Sequence, residues 1–203
     1  MIKTVKKIIS YIMVCVLFLS MCIPCEAAQT STATASDANA TTGFPQITST
    51  SAIIMDAQSG QIIYEKNSHT RQYPASITKI MTAYLAIKNG DLNSTITMSD
   101  AAVWGIDRNS SHIALDVGEE ISMSDALYAV MLMSANEAAW AIAEQVSGSL
   151  ENFVQLMNDT AQSLGCKDTH FTNANGLHDP DHYTTAYDMA LISQEALKNP
   201  VFR

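Results

Sequence analysis

The sequence predicts an α/β fold of the α+β kind, in which an antiparallel hairpin precedes a larger helical part. The 203 residues are 47% apolar and 15% charged, which is typical of a globular chain and far from the composition of disordered proteins. Two β-rich runs begin the ordered part of the chain. Several segments in which apolar residues recur with helical spacing follow those runs.

The first 27 residues have the pattern of a secretory signal peptide. Three lysines near the start precede an almost unbroken apolar run from Ile8 to Ile23, and small residues frame a cleavage site at Ala27. The run is shorter than the roughly 18 apolar residues that indicate a membrane-spanning helix. An uncleaved N-terminal anchor is one alternative. A lipoprotein is another, and Met21 before Cys22 disfavours it because that position requires a small residue.

Residues 28–45 are predicted to be a flexible linker rich in Ala, Thr and Ser. Positions 28–43 carry a single charge and no bulky apolar side chain, so they bury too little surface to order themselves. The expected organisation is therefore a signal peptide over 1–27, a linker over 28–45 and one folded domain over 46–203.

Charge and cysteine content exclude two classes of protein. The chain has 20 acidic and 11 basic residues, a formal charge of -9, whereas binding to nucleic-acid phosphates requires a basic face. Three of the four cysteines lie in the first 25 residues, which leaves Cys166 alone in the domain and excludes a disulfide-stabilised scaffold. We expect Cys166 to be a small buried hydrophobic residue and not a reactive thiol.

The segments 51–56 and 61–65 are predicted to form the antiparallel hairpin. Both are rich in β-formers, and the loop that joins them ends at Gly60. A hairpin of two strands is marginal on its own, and the apolar face formed by Ala52, Ile54, Ile62 and Tyr64 requires a larger sheet. No later segment supplies the strands of that larger sheet. The sheet is therefore expected to be incomplete in this chain and to be finished by residues beyond Arg203, the alternative being an unusual fold.

Helices account for most of the remaining sequence. The segment 76–88 has apolar or aromatic residues at Ile80, Ala83, Tyr84 and Ile87, which indicates a buried helix that stops at Asn89-Gly90. Further helices are predicted over 124–133, with Ser124-Asp125 as its cap, and over 137–146, 150–164 and 184–198. A loop over 169–183, rich in Asn, Asp and His, separates the last two.

Ser76 and Lys79 form the single Ser-x-x-Lys pattern of the chain. Residues three apart share a helix face, so the amine can reach the hydroxyl and act as its base if desolvation or a neighbouring cation lowers the amine pKa. A serine at a helix N-terminus also places backbone N–H groups near a developing oxyanion. The alternative is a capping serine beside a solvated lysine, and the pattern alone does not decide between them.

Ser134 and Asn136 form the single Ser-x-Asn pattern. They lie where one predicted helix ends and the next begins at Glu137, and such a junction can direct polar groups into a cleft. Taken alone, Ser134 is equally consistent with an N-cap.

The order of these motifs resembles the serine penicillin-recognising enzymes, whose signature is Ser-x-x-Lys, Ser-x-Asn and Lys-Thr-Gly. The resemblance extends to longer stretches and is closest to the D-alanyl-D-alanine carboxypeptidases, the low-molecular-mass penicillin-binding proteins. These stretches are PASITKIMTAYLAI, LYAVMLMSANEAAWAIAE and FVQLMNDTAQSLGCKDTHFTNANGLHDPDHYTTAYDMALISQEALKNPVF. The resemblance covers residues 46–203 and implies a β-lactamase/transpeptidase-like domain with an antiparallel sheet and a helical subdomain.

The resemblance also implies roles for single residues. Ser76 would be the acyl-forming nucleophile, Lys79 its general base, Ser134 a proton relay to the leaving amine, and Asn136 a hydrogen-bonding group for the substrate peptide. The substrate would be the D-Ala-D-Ala end of a peptidoglycan stem peptide, with β-lactams as covalent inhibitors and no cofactor or metal. The place of action would be the cell envelope, at the outer face of the bacterial cytoplasmic membrane, in cell-wall synthesis and cell shape.

The third signature motif is missing, because the chain contains no Lys-Thr-Gly, Lys-Ser-Gly or His-Thr-Gly. In the family its lysine binds the substrate carboxylate and its strand supplies an oxyanion donor. Loss of such a donor costs about 10²–10³ in rate, so the chain alone is expected to be inactive or crippled. Membrane association is expected only through the missing C-terminal region. The rival of a different class is a truncated, non-catalytic wall-binding protein. A class A β-lactamase is disfavoured because no Glu-x-x-x-Asn stands where its deacylating glutamate would lie.

The sequence His178-Asp-Pro-Asp-His182 gathers two imidazoles and two carboxylates. Pro180 prevents the helical spacing that a zinc-binding histidine pair requires. We therefore expect a solvated loop at the border of the cleft and no metal site.

Overall fold

An antiparallel hairpin opens the part of the chain that the computed structural model describes, residues 47–203. The predicted signal peptide and linker lie outside the described residues. Strand β1 (Ala52–Met55) pairs with β2 (Ile62–Lys66), with Ile54 opposite Tyr64. In the turn, the Asp56 carboxylate accepts backbone N–H groups at 3.2 and 2.7 Å. The predicted hairpin is confirmed, and no other strand among residues 47–203 pairs with it.

A second small sheet was not predicted. Strand β3 (Thr95–Thr97) pairs antiparallel with β4 (Glu120–Ser122), and Ile96 lies opposite Ile121. Neither strand pairs with the hairpin, so within residues 47–203 the expectation that no later segment completes the hairpin's sheet is confirmed. Each strand has only three residues, too few for an alternation of apolar and polar residues to be recognised.

All five predicted helices are present, with ends shifted by a few residues. They are α1 (Lys79–Asn89), α3 (Met123–Met133), α4 (Asn136–Ser147), α5 (Leu150–Ser163) and α6 (Ala186–Ala196), and an unpredicted short helix, α2 (Asp100–Trp104), precedes α3. A 3₁₀ turn over Ala75–Thr78 leads into α1.

The predicted cap of α3, Ser124, is wrong by two residues. The N-cap is Ser122, whose hydroxyl accepts the backbone N–H of Asp125 at 3.0 Å. A capping hydroxyl reaches the N–H three residues further along the chain, which Ser122 does and Ser124 does not.

Helix α1 is the central element of the domain. One side of it joins a cluster that includes Ala83 and Ala86, and the other side joins a second cluster that includes Met81 and Leu85. The predicted stripe is only half right, because Ile80 and Ile87 are half-buried while Met81 and Leu85 are fully buried. Packing on more than one side buries a wider arc of the helix than a single amphipathic face predicts.

Cys166 is unpaired and buried, as the sequence predicted. Burial, reinforced by the charge of Asp188, raises the pKa of its thiol to about 12. The thiol is therefore protonated and unreactive at neutral pH. Over residues 47–203, none of the helices has both the length and the apolar character that crossing a membrane requires.

Candidate active site

Ser76 lies in the exposed 3₁₀ turn just before α1, and not in the first turn of an α-helix. The residue before it, Ala75, has φ +49°, in the left-handed region that residues with a side chain rarely adopt. Such backbone strain is concentrated at functional sites, where the surrounding structure must hold it in place. Here it directs Ser76 outward from the end of a buried helix.

Lys79 is the first residue of α1, and its side chain is buried beneath Ser76. Its Nζ lies 3.2 Å from Ser76 Oγ, 2.7 Å from Asn136 Oδ1 and 2.6 Å from the carbonyl oxygen of Asn175. Burial lowers the pKa of the Lys79 amine from 10.5 to about 8, and the charge of Glu137 opposes that shift. A lysine in this state can give up its proton near neutral pH, which a solvated lysine cannot do.

Ser134 follows α3 and has φ +56°, so it ends the helix in the left-handed conformation. A residue in this conformation just past a helix terminates it and turns the chain. The turn brings Ser134 Oγ within 2.8 Å of Ser76 Oγ, to which it donates a hydrogen bond. The reading of Ser134 as an N-cap is wrong, because Ala135 occupies the N-cap of α4.

Asn136 begins α4 and is buried, and both ends of its side-chain amide are occupied. Its Oδ1 accepts the hydrogen bond from Lys79, while its Nδ2 donates to Ser110 Oγ at 2.8 Å. Its backbone N–H donates to the carbonyl of Ser111 at 3.0 Å. The structure therefore brings Ser76, Lys79, Ser134 and Asn136 into one hydrogen-bonded group.

Sequence reasoning missed the segment 173–177, which supplies the carbonyl that Lys79 contacts. Asn173 Oδ1 accepts the N–H of Gly176 at 2.7 Å, and Asn175 Oδ1 accepts the N–H of Leu177 at 3.0 Å. Gly176 has φ +84°, and a Cβ on it would lie 1.9 Å from the carbonyl oxygen of Ala75. The sequence Asn-Ala-Asn-Gly carried a signal for such a turn, because asparagine side chains hydrogen-bond nearby backbone and glycine tolerates positive φ.

His182 corrects the expectation of a solvated loop. Its side chain is buried, with Nδ1 3.0 Å from the backbone N–H of Thr172 and Nε2 2.8 Å from Thr78 Oγ1. Because the backbone N–H must donate, Nδ1 is the acceptor, so the neutral ring carries its proton on Nε2 and donates to Thr78. Burial lowers the pKa of His182 to about 4, which keeps the ring neutral. Thr78 is the last residue of the 3₁₀ turn and directly precedes Lys79, so the hydrogen bond from His182 holds the end of that turn in place.

His178 remains exposed, with its ring 4.7 Å from that of Tyr73 in an edge-on arrangement. Within residues 47–203, no cluster of three or more histidine, cysteine or carboxylate side chains has the geometry to hold a metal ion. The chemistry available at the site is that of a hydroxyl pair beside a buried amine. Such a group can form and break an ester at Ser76 by moving one proton between oxygen and nitrogen.

Comparison with known proteins identifies a family and several relatives of this chain. A family model described as D-alanyl-D-alanine carboxypeptidase matches residues 36–202. The carboxypeptidase DacA of Haemophilus influenzae is 41% identical over 163 residues, which are 76% of this chain and 41% of that protein. DacF of Bacillus subtilis is 41% identical over 151 residues, covering 73% of this chain and 39% of that protein.

Solved structures agree with this assignment. Penicillin binding protein 5 from Haemophilus influenzae superimposes with a TM-score of 0.74 and 38% identity, over 79% of this chain and 48% of that chain. The D-alanyl-D-alanine carboxypeptidase DacD from Francisella tularensis gives a TM-score of 0.71 and 34% identity, over 76% of this chain and 38% of that chain. The predicted fold class is thus confirmed, and this chain spans about two fifths of the length of the DacA and DacF proteins above. By sequence and by fold alike, the chain belongs to the D-alanyl-D-alanine carboxypeptidase family.

Proposed function

We propose that this protein is a serine D-Ala-D-Ala carboxypeptidase that removes the terminal D-Ala of peptidoglycan stem peptides through an acyl-enzyme at Ser76. The observation that supports it most directly is the 3.2 Å contact between Lys79 Nζ and Ser76 Oγ. The same amine is buried and has its pKa lowered to about 8. A buried amine in contact with a hydroxyl is the arrangement that activates a serine in the absence of histidine.

The proposed reaction has two halves. Lys79 Nζ takes the proton of Ser76 Oγ, which bonds to the carbonyl carbon of the penultimate D-Ala. As the C–N bond breaks, the proton that Lys79 took passes through Ser134 to the leaving amine; Ser134 Oγ is 2.8 Å from Ser76 Oγ. Water then attacks the ester, and the proton it loses returns through Lys79 to Ser76. Asn136 holds the Lys79 amine, and its proposed second role is to hydrogen-bond the peptide amide of the substrate.

β-Lactams are proposed to acylate the same serine, since they present a strained amide in place of the D-Ala-D-Ala bond. The chain lacks the Lys-Thr-Gly sequence, so the lysine that would hold the substrate carboxylate is not among its residues. We therefore expect the 203-residue chain to turn over peptide slowly by itself.

The proposed place of action is the bacterial cell envelope, where peptidoglycan is found, and the proposed role is in cell-wall maintenance and cell shape. Export would depend on the signal peptide predicted over 1–27, with 28–45 as a linker to a catalytic domain over 46–203. Protein sequencing of the N-terminus of exported material tests this, and a product that starts at Met1 would favour the uncleaved anchor.

Labelling with a fluorescent penicillin tests the nucleophile. We expect a covalent adduct that maps by mass spectrometry to Ser76, in the 203-residue chain or in a longer product of the same gene. Ser76→Ala should abolish labelling and D-Ala release, whereas Ser193→Ala on α6 should leave both unchanged. An adduct on another residue would refute the proposal, as would D-Ala release that persists in Ser76→Ala.

A further inference from the structure

Glu137 is a buried carboxylate that the proposed reaction does not use. It is fully buried on α4, directly after Asn136. Its Oε1 accepts the backbone N–H of Ile113 at 2.7 Å, but its Oε2 has no hydrogen-bond partner. A buried carboxylate oxygen without a donor is costly unless a nearby positive charge compensates it.

We propose that Glu137 is a positioning residue for Lys79, which it serves by stabilising the buried ammonium electrostatically while it anchors the loop over 110–113. The inference rests on the proposed function because it takes Lys79 as the base. The coupling between the two buried charges can nevertheless be measured without an activity assay.

The groups that touch the Lys79 amine are all neutral. They are the hydroxyl of Ser76, the side-chain amide of Asn136 and the backbone carbonyl of Asn175. Glu137 is the charged group that acts on the amine, and it raises the Lys79 pKa against the effect of burial. The value of about 8 is therefore a balance between desolvation of the amine and attraction by one carboxylate.

The loop over 110–113 carries one other titratable group, His112, and Asp107 and Arg108 lie just before it. The ring of His112 is bonded to the carbonyl of Arg108 and to the N–H of Ala114. The Arg108 guanidinium lies over the ring of Trp104 at 5.4 Å, and its buried Nη1 has no hydrogen-bond partner. On the opposite side of Lys79, His182 is neutral. Over the described part of the chain, no ion pair involves Glu137.

The negative charge of Glu137 matters at one step of the proposed reaction, the proton transfer from Ser76 to Lys79. When the proton moves from Ser76 Oγ to Lys79 Nζ, a positive charge forms at a buried position from which water is largely excluded. A fixed carboxylate nearby stabilises that charge without reorganisation of solvent. The anchored loop contributes as well, since Ser110 and Ser111 on it hold the side chain and backbone of Asn136, which in turn holds the lysine.

The decisive experiment titrates Lys79 by NMR, from the ¹³Cε shift of its side chain in the full chain. Glu137→Gln keeps the size of the side chain and an oxygen for the Ile113 N–H, but removes the charge. We expect the Lys79 midpoint to fall by about 1 pH unit or more, because an opposite charge at close range shifts a pKa by roughly 1–3 units. Glu144→Gln is the matched control: it lies on the same helix and bonds Ser99 and Trp140, and its substitution should leave the midpoint unchanged.

An unchanged midpoint in a folded Glu137→Gln variant would overturn the inference. A purely structural glutamate could lower the melting temperature without moving this titration. If the variant does not fold, the wild-type protein decides: the Glu137 ¹³Cδ shift should show an inflection at the Lys79 midpoint, and a flat curve there would refute the coupling.

The pH profile of penicillin acylation separates this inference from the proposed function. If both hold, the rise of the rate with pH moves to lower pH in Glu137→Gln by the same amount as the Lys79 titration. If the wild-type protein never labels but the titration shifts, the coupling stands and the proposed function fails. If the protein labels and the titration does not shift, the function stands and the inference fails.

Discussion

The amine of Lys79 has three neutral acceptors within hydrogen-bonding distance, which none of the exposed lysines in residues 47–203 has. A charged ammonium in that position has lost the stabilisation that water provides, and its hydrogen bonds to the protein replace only part of that stabilisation. The pKa accordingly falls from 10.5 to about 8. Because the unfolded lysine keeps its proton up to about pH 10, the unfolded state binds more protons between pH 8 and 10.5, and this group makes the protein more stable as pH rises through that window.

Replacing Lys79 should remove most of the acylation rate. Lys79→Ala eliminates the proposed general base and is expected to slow penicillin labelling by about 10²–10⁴, the usual contribution of such a base. The wild-type rate should rise with pH and reach half its maximum near pH 8, the pKa of the amine. Stopped-flow labelling across pH 6–10 measures both. A variant that labels at the wild-type rate, or a wild-type profile flat through pH 8, would contradict the assignment of Lys79 as base.

Ser134 should matter more for peptide than for penicillin. In the peptide reaction a separate amine must receive a proton and leave, whereas the leaving nitrogen of a β-lactam stays tethered to the acyl group. Ser134→Ala is therefore expected to reduce D-Ala release by a larger factor than penicillin labelling. Parallel assays on one preparation test this, and equal losses in the two assays would argue against a relay through Ser134.

At the scale of elements, sequence reasoning succeeded where a pattern is long and failed where it is short. The hairpin and five helices each contain enough residues for a period to appear. The three-residue strands β3 and β4, the short helix α2 and the segment 173–177 contain too few residues for a period to appear. The site shows the same division: Ser-x-x-Lys and Ser-x-Asn are local patterns, but the carbonyl of Asn175 and the ring of His182 reach the site only through the tertiary fold.

Gly176 tests how tightly the segment 173–177 fits beneath Ser76. A Cβ at this position would meet the carbonyl oxygen of Ala75, and the residue also has positive φ. Gly176→Ala should therefore cost more than the roughly 1–2 kcal/mol of a left-handed alanine alone, and should displace the 3₁₀ turn. Gly165→Ala provides the control, since Gly165 has φ +86° but no atom within 4 Å of the added methyl group. Urea denaturation and penicillin labelling should both be affected more in Gly176→Ala; equal effects would mean that the close approach is unimportant.

His182 links Thr78 of the 3₁₀ turn to Thr172, and protonation of its ring should weaken this connection. Burial lowers its folded-state pKa from 6.5 to about 4, so the unfolded state binds more protons between these values. The free energy of unfolding is therefore expected to fall as pH drops from 6.5 to 4, and to fall less steeply in His182→Gln. Urea denaturation at a series of pH values measures this slope. Parallel curves for wild type and variant would show that His182 does not titrate across the unfolding transition.

At the scale of the whole molecule, the distribution of apolar surface is uneven. The interior is closely packed around α1, yet Ile54, Ile62 and Ile63 of the hairpin are exposed, as are Tyr128 and three neighbouring apolar residues at the end of α3. The formal net charge of -9 opposes self-association, since like charges repel. The hairpin is the exception, because exposed strands with apolar side chains favour edge-to-edge association.

The hairpin should therefore dominate the association behaviour of the chain. A product of residues 28–203 is expected to bind a hydrophobic dye and to form oligomers as its concentration rises. Placing a charge on the hairpin with Ile63→Lys should reduce both, because a lysine on an exposed strand opposes strand pairing and shortens the apolar patch. Gln61→Lys adds the same charge two residues away, at an exposed position that is already polar, and should have a smaller effect. Dye fluorescence and sedimentation velocity report the two quantities. If both substitutions reduce association equally, net charge and not the apolar hairpin governs association. If the wild-type product is monomeric and binds no dye, the exposed isoleucines of the hairpin do not cause association.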